Sequence, residues 1–217
     1  VIGAVSPTTN PTMTPMQNAM IALKGGNAII VGPHPRAKKT GVETVNLMRE
    51  ALKSVGAPED LIQIIPEPTV ELSGLLMSEC DACISTGGPG MVKAAYKSGK
   101  PAFGVGAGNV QTLVDTDADI AAVAKKVATS RTYDNGVLCT CEQCVHIPAS
   151  KHDEMVEELV KQGAYYINKP EDVETLRKGL FPNGVINKDA VGASATFIAE
   201  LVGLEVPADT RFLLVEI

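Results

Sequence analysis

The sequence predicts an α/β protein built on a parallel sheet, and three observations carry that expectation. Short runs rich in Val and Ile recur along the chain, they are continuous rather than alternating, and stretches of helical period separate them. Strands joined by helices return in the same direction through right-handed crossovers, which covers both faces of the sheet with helices.

The first strand is Val1-Ile2-Gly3-Ala4-Val5, followed by a helical pattern over residues 14–23 and a second strand over 28–31. Val42, Val45, Met48, Leu52 and Val55 fall at helical intervals, and Gly56-Ala57-Pro58 stops that helix before a short apolar run over 61–65. A helix over 72–77, a strand over 82–85, a Gly-rich turn, a helix over 92–96 and a strand over 102–105 continue the alternation. An Ala-rich helix over 117–130 then precedes the segment that holds three cysteines. Beyond it the pattern restarts with a strand over 145–147 and a helix over 154–161, for which Ser150 and Asp153 form a capping box. A strand over 165–167, helices over 173–180 and 191–201 and a strand over 212–215 complete the second part. The restart puts a domain boundary near residue 130. Because both ends read as buried strands, the chain is expected to be a piece of a longer fold.

With 217 residues, 45% of them hydrophobic, the chain is long enough for one large or two small cores. Its net charge of -6 is spread through interleaved acids and bases without a run of Lys or Arg, so no nucleic acid and no anionic membrane is expected as partner. No apolar stretch approaches the ~20 residues that span a bilayer, and the first residues lack the basic-then-apolar layout of a signal peptide. The expectation is a cytoplasmic protein with small-molecule partners. Five cysteines, an odd number outside any secreted context, argue for reduced thiols rather than a disulfide framework.

Two Gly-rich turns follow apolar strands. Thr86-Gly87-Gly88-Pro89-Gly90 opens a helix, where backbone N–H groups and a helix N-terminus can bind a phosphate, but it is not a G-x-G-x-x-G fingerprint, and a Gly-rich strand-to-helix turn is more often just a tight turn. Gly104-Val105-Gly106-Ala107-Gly108-Asn109 suggests close approach of the backbone to a neighbour or ligand. The cysteines of the segment 134–144 admit three readings. Cys139, Cys141 and Cys144 with Cys80 and Cys83 could bind zinc or an iron-sulfur cluster, although the spacing lacks paired knuckles. Several could be small core hydrophobes, the reading that suits Cys80, Cys83 and Cys144. The third reading is a catalytic thiol.

The run Thr132-Tyr133-Asp134-Asn135-Gly136-Val137-Leu138-Cys139, with Glu142-Gln143 beyond it, resembles the nucleophile segment of CoA-acylating aldehyde dehydrogenases. Residues 6–12, 32–38, 85–100, 104–109 and 186–207 resemble the same family in the same order, so the similarity covers essentially the whole chain. The resemblance implies an aldehyde dehydrogenase fold. A Rossmann-like, partial dinucleotide-binding domain would occupy residues 1–130, and part of the α/β catalytic domain residues 131–217. Cys139 would be the nucleophile, and the amide of Asn10 with the backbone N–H of Cys139 would hold the oxyanion. Thr86, Gly87, Gly88, Pro89, Gly90 and Gly106, with His34 and Arg36 at the adenosine edge, would bind NAD or NADP. Lys38 and Lys39 could approach an adenosine phosphate.

The implied substrates are a small aldehyde and coenzyme A, turned over by a homo-oligomeric full-length enzyme in the cytoplasm or a bacterial microcompartment, with no metal. In hydrolytic members a glutamate activates water at the position matching Gly104. Its absence here implies that the thiol of CoA, rather than water, takes the acyl group. The rival readings are a hydrolytic enzyme that uses another base, such as Glu142, and a non-catalytic thiolate-metal module. Cys141 departs from the family pattern, where Ser or Ala is usual.

Overall fold

The computed structural model describes residues 1–106 and 108–216, and the chain divides into two compact units, Val1–Ala107 and Gly108–Ile217. The first unit runs β1 (Ile2–Val5), α1 (Met13–Lys24), β2 (Ile29–Gly32), α2 (Lys38–Ser54), β3 (Ile62–Ile64), α3 (Val70–Glu79), β4 (Ala82–Thr86), α4 (Pro89–Tyr96) and β5 (Ala102–Val105). Its strands form one five-stranded sheet in the order β3-β2-β1-β4-β5, with every neighbouring pair parallel. The chain steps outward from β1 to β3 and then returns to the other side of β1. The carboxyl ends of β1 and β4 therefore flank a topological switch point, the place where open α/β sheets bind ligands.

Both faces of this sheet are covered. On one, Ala19, Ala22 and Val45 of α1 and α2 pack with Ala4, Ile29 and Val31. On the other, Leu76 and Met77 of α3 and Ala95 of α4 pack with Val5 and Cys83. Small residues set the spacing, since a Cβ on Gly3 would lie 3.0 Å from the Cys80 sulfur and one on Gly32 3.1 Å from Leu76. Ile29 is fully buried, a burial worth roughly 1.5–3 kcal/mol. Pro15 is tolerated because it falls in the first turn of α1, where its missing N–H breaks no helical bond.

The second unit runs β6 (Val110–Leu113), α5 (Ile120–Thr132), β7 (Glu142–His146), α6 (His152–Lys161), β8 (Ala164–Ile167), α7 (Pro170–Leu180), α8 (Ala195–Val202) and β9 (Phe212–Val215). Its strands make two separate parallel pairs, β6 with β7 and β8 with β9. One core joins them: Ile120, Ala124, Val127 and Ala128 of α5 pack with Met155 and Leu159 of α6, Ala164 and Phe212. α5, which the sequence put ahead of a boundary near residue 130, packs into this core.

Four further details differ from the expectations. Strand β6 was not foreseen, because Val-Gln-Thr-Leu is short and carries an irregular register at Val110/Gln111. The helix expected over 117–130 begins at Ile120, where the Asp119 carboxylate accepts from the Ala122 N–H. Ser150 caps nothing: Pro148 opens a 3-10 turn over Ala149–Lys151, and α6 starts at His152 with Asp153 in its first turn. The helix expected over 191–201 begins only at Ala195, because Gly192 adopts φ 76° and Ser194 caps the Phe197 N–H. Among the described residues no helix is long and apolar enough to cross a membrane.

Candidate active site

In the first unit the expected residues gather at the carboxyl edge of the sheet. Asn10 lies in the loop after β1, and its side-chain oxygen accepts a hydrogen bond from the Met13 N–H at 3.0 Å. That bond orients the amide, and its NH2 has no partner among the described residues. Asn10 is thus held as a donor.

Thr86 ends β4, and Gly87, Gly88, Pro89 and Gly90 lead directly into α4, which opens on Gly88 without a side-chain cap. The Gly87 N–H donates to the Val105 carbonyl at 3.0 Å, tying the turn to β5. Neither Gly88 nor Gly90 has a positive φ, and a Cβ on either would meet nothing within 4 Å. Fold and packing give no reason for these glycines. Bare backbone at the switch point, beside the uncapped start of a helix, fits a dinucleotide phosphate. Gly106 lies in the open strand exit after β5, also with no neighbour where its Cβ would be, and Ala107 beside it lies outside the described residues.

At the end of β2, His34 acts as a cap: its Nδ1 accepts from the Arg36 N–H at 3.2 Å and starts the 3-10 turn Pro35–Ala37. Burial, and then the Arg36 charge, lower the His34 pKa below its ordinary value of 6.5, which favours the neutral ring needed for that bond. The Arg36 side chain is exposed, and the Lys38 ammonium pairs with Glu67.

Gly104 has a steric cause that the sequence did not reveal. A Cβ there would stand 2.6 Å from Val92 and 2.9 Å from the Tyr96 ring, so no side chain fits without repacking α4. The Tyr96 hydroxyl accepts from the Gly104 N–H at 3.1 Å and donates to its carbonyl at 3.4 Å, sealing the edge of β5. Tyr96 was read only as part of a helix. Its hydroxyl contact had no signal in spacing or composition.

In the second unit Cys139 is exposed, while Cys141 is buried and Cys144 half-buried in β7. The turn that carries Cys139 is fixed at both ends. Before it, Asp134, Asn135 and Gly136 take φ of 49°, 51° and 71°, a left-handed run that costs non-glycine residues energy. The Asn135 amide donates to the Gly192 carbonyl at 3.0 Å, and Gly136 leaves no room for a side chain, since its Cβ would lie 2.8 Å from the Arg131 guanidinium. After it, the Cys141 N–H donates to the Leu138 carbonyl at 3.1 Å, closing a turn that presents Cys139. Gly108 runs close by, with the Cys139 carbonyl 3.4 Å from where its Cβ would be. Glu142 has one carboxylate oxygen buried without a partner among the described residues.

Cys80 and Cys83 are core residues of the first unit, and burial raises the Cys80 pKa, which suits an inert thiol. Among the described residues no three His, Cys, Asp or Glu side chains converge as a metal site.

Comparison with known proteins follows the same lines. The model of the aldehyde dehydrogenase family matches residues 1–177. The acetylating succinate-semialdehyde dehydrogenase of Clostridium kluyveri is 47% identical over the whole chain, which spans 48% of that protein. An acetylating aldehyde dehydrogenase from Geobacillus thermoglucosidasius superposes with a TM-score of 0.91 at 40% identity, over 99% of this chain and 48% of that one. A propionaldehyde dehydrogenase from Rhodopseudomonas palustris, solved with bound propionyl-CoA, gives 0.87 at 34% identity over 100% and 48%. The chain spans about half the length of these relatives.

Proposed function

The chain belongs to the aldehyde dehydrogenase family, and we propose from that premise that it carries the cofactor-binding and nucleophile-bearing parts of a CoA-acylating member. The reaction is aldehyde plus coenzyme A plus NAD or NADP going to acyl-CoA and the reduced cofactor. The longer enzyme would work as a homo-oligomer, in the cytoplasm or a bacterial microcompartment.

The observation that carries the chemistry is the exposed Cys139, presented on a turn fixed by the left-handed run 134–136 on one side and β7 on the other. As thiolate it attacks the carbonyl carbon of the aldehyde, forming a carbon–sulfur bond and placing the negative charge on oxygen. By the family resemblance, the Asn10 amide, its own oxygen committed to Met13, and the Cys139 N–H would be the donors to that oxygen. Thr86, the glycines 87, 88 and 90, Pro89 and Gly106 would hold the dinucleotide, with His34 and Arg36 at its adenosine end. When bound, the oxidised nicotinamide supplies the hydride acceptor that turns the thiohemiacetal into a thioester. The thiol of coenzyme A then displaces Cys139, which leaves as thiolate.

Gly104 supports acyl transfer over hydrolysis. It occupies the position where hydrolytic members would carry their water-activating glutamate, and Val92 and Tyr96 fill the space such a side chain needs. Glu142 is the only specific support for the hydrolytic rival, through its buried unpartnered oxygen. Replacement of Cys139 by Ala in the longer enzyme tests the proposal: aldehyde-dependent cofactor reduction should vanish, whereas Cys144→Ala should keep most of it. Equal losses would overturn a single nucleophile.

A further inference from the structure

Helix α5 ends at Thr132, just ahead of the left-handed run 134–136, and the Thr132 hydroxyl is bonded on both sides. It donates to the Ala128 carbonyl at 2.8 Å and accepts from the Arg211 guanidinium at 2.9 Å. A threonine hydroxyl has one hydrogen, so the bond to Ala128 leaves its lone pairs for Arg211. The other terminal nitrogen of the guanidinium donates to the Gln162 carbonyl at 3.1 Å, and the Arg211 N–H donates to the Gly163 carbonyl at 2.9 Å. Gln162 directly follows the last residue of α6. One cation therefore sits at the carboxyl ends of two helices, where the dipole and the last carbonyls favour positive charge. Gly163 makes room for it: φ there is 96°, and a Cβ would lie 2.8 Å from the Arg211 Cδ.

We propose that Arg211 is a positioning residue for Cys139, acting through Thr132; the inference rests on the reading of Cys139 as the nucleophile. Non-glycine residues at positive φ persist only where their surroundings over-determine them, and Asp134 and Asn135 are two in succession. Such a run needs an anchor on each side. On the Cys139 side the Asn135 amide holds the Gly192 carbonyl. On the α5 side the helix closes with the Tyr133 N–H bonded to the Ser130 carbonyl, a local bond that unwinds with its own turn. Arg211 supplies the anchor that does not, from the start of β9, 79 residues along the chain from Thr132.

Without that bond the last turn of α5 can open, the strained run relaxes, and the segment ending in Cys139 moves with it. The chemistry of residue 211 matters as well as its charge. A guanidinium is a planar fork that reaches the Thr132 hydroxyl and the Gln162 carbonyl together, whereas a lysine ammonium is a point charge on a flexible stem. Thr132 is needed for its acceptor, which a valine of the same shape lacks.

The test uses the longer enzyme and the single-turnover rate of aldehyde-dependent cofactor reduction. Arg211→Met should lower that rate by roughly 10- to 100-fold, the size of a small misplacement, with KM for the aldehyde nearly unchanged. Thr132→Val should do the same, and the combined variant should lose no more than the larger single loss, because the two act as one unit. Arg211→Lys should recover part of the rate. Since Arg211 is exposed, the melting temperature should move little. Arg177→Met, which removes an exposed arginine bonded to Glu174 within α7, should leave the rate as it was. Exchange of the Val137 and Cys141 amides, bonded to the Asp134 and Leu138 carbonyls, should quicken about ten-fold in Arg211→Met. That last readout reports on the turn alone, so it tells failure of this inference from failure of the nucleophile reading, which Cys139→Ala decides. An unchanged rate in Arg211→Met, a loss there without one in Thr132→Val, losses that multiply in the combined variant, an equal loss in Arg177→Met, or unchanged exchange at Val137 and Cys141 would each overturn the proposal.

Discussion

The two units use the same ingredients to different ends. In the first, five strands form one sheet, helices cover both faces, and at the β5 edge Tyr96 binds the Gly104 backbone. In the second, four strands stay in two pairs with a cleft between facing edges, and the shared core is drawn mainly from α5 and α6. The difference teaches where each unit keeps its chemistry. The single continuous sheet offers bare glycine backbone at its carboxyl edge, suited to binding. The open one presents its exposed thiol, Cys139, on a strained turn, fixed by a bond to Gly192 and by β7.

The largest contrast should come from the donors and the nucleophile. In the longer enzyme Cys139→Ala should lower kcat by roughly 10⁴-fold or more, whereas Asn10→Ala should cost about 10²–10³ in kcat. Because the Asn10 oxygen also accepts from Met13, that variant should lose about 1 kcal/mol of stability as well, read by denaturant melts. A loss in KM alone would remove Asn10 from the oxyanion site.

Core truncation should separate the units next. Ile29→Ala, at a fully buried position in the closed sheet, should cost about 2–5 kcal/mol, and Leu213→Ala beside the cleft less than half of that in the isolated chain. Equal costs would mean that the second unit is as well packed as the first.

Gly104→Ala should destabilise by about 1–3 kcal/mol through the clash with Val92 and Tyr96. Tyr96→Ala combined with it should recover part of that loss, a non-additivity readable in a double-mutant cycle.

The smallest effect is electrostatic. Hydrogen bonds to Asp153 and Glu216 raise the pKa of His152 above 6.5. A raised histidine pKa stabilises the folded state fully below the unfolded value and loses that contribution as pH rises through the folded value. Exchange of the β9 amides should therefore quicken as pH climbs past the His152 pKa, after correction for intrinsic rates. Since the group is exposed, the change should be slight, and His152→Gln should remove it.

How much of this was legible in the sequence differs between the units in the same sense. The strands of the first unit are short, largely apolar runs set between clear helical patterns, so their order along the chain and their parallel pairing could be read directly. In the second, β6 is four residues of mixed character, and α8 starts late because Gly192 turns the chain first. Cys139 was legible as a resemblance, while its exposure beside a buried Cys141 depends on a turn that no periodicity reveals. The obstruction at Gly104 was invisible because it depends on Tyr96, eight residues earlier, meeting the strand across a helix-to-strand connection.

The most direct test of the central claim is product analysis of the longer enzyme with acetaldehyde and oxidised nicotinamide, with and without coenzyme A, by mass spectrometry. Acyl-CoA formed only when coenzyme A is present is the result that a crowded Gly104 and a lone Cys139 nucleophile require; free acid formed in its absence would contradict the account and turn attention to Glu142.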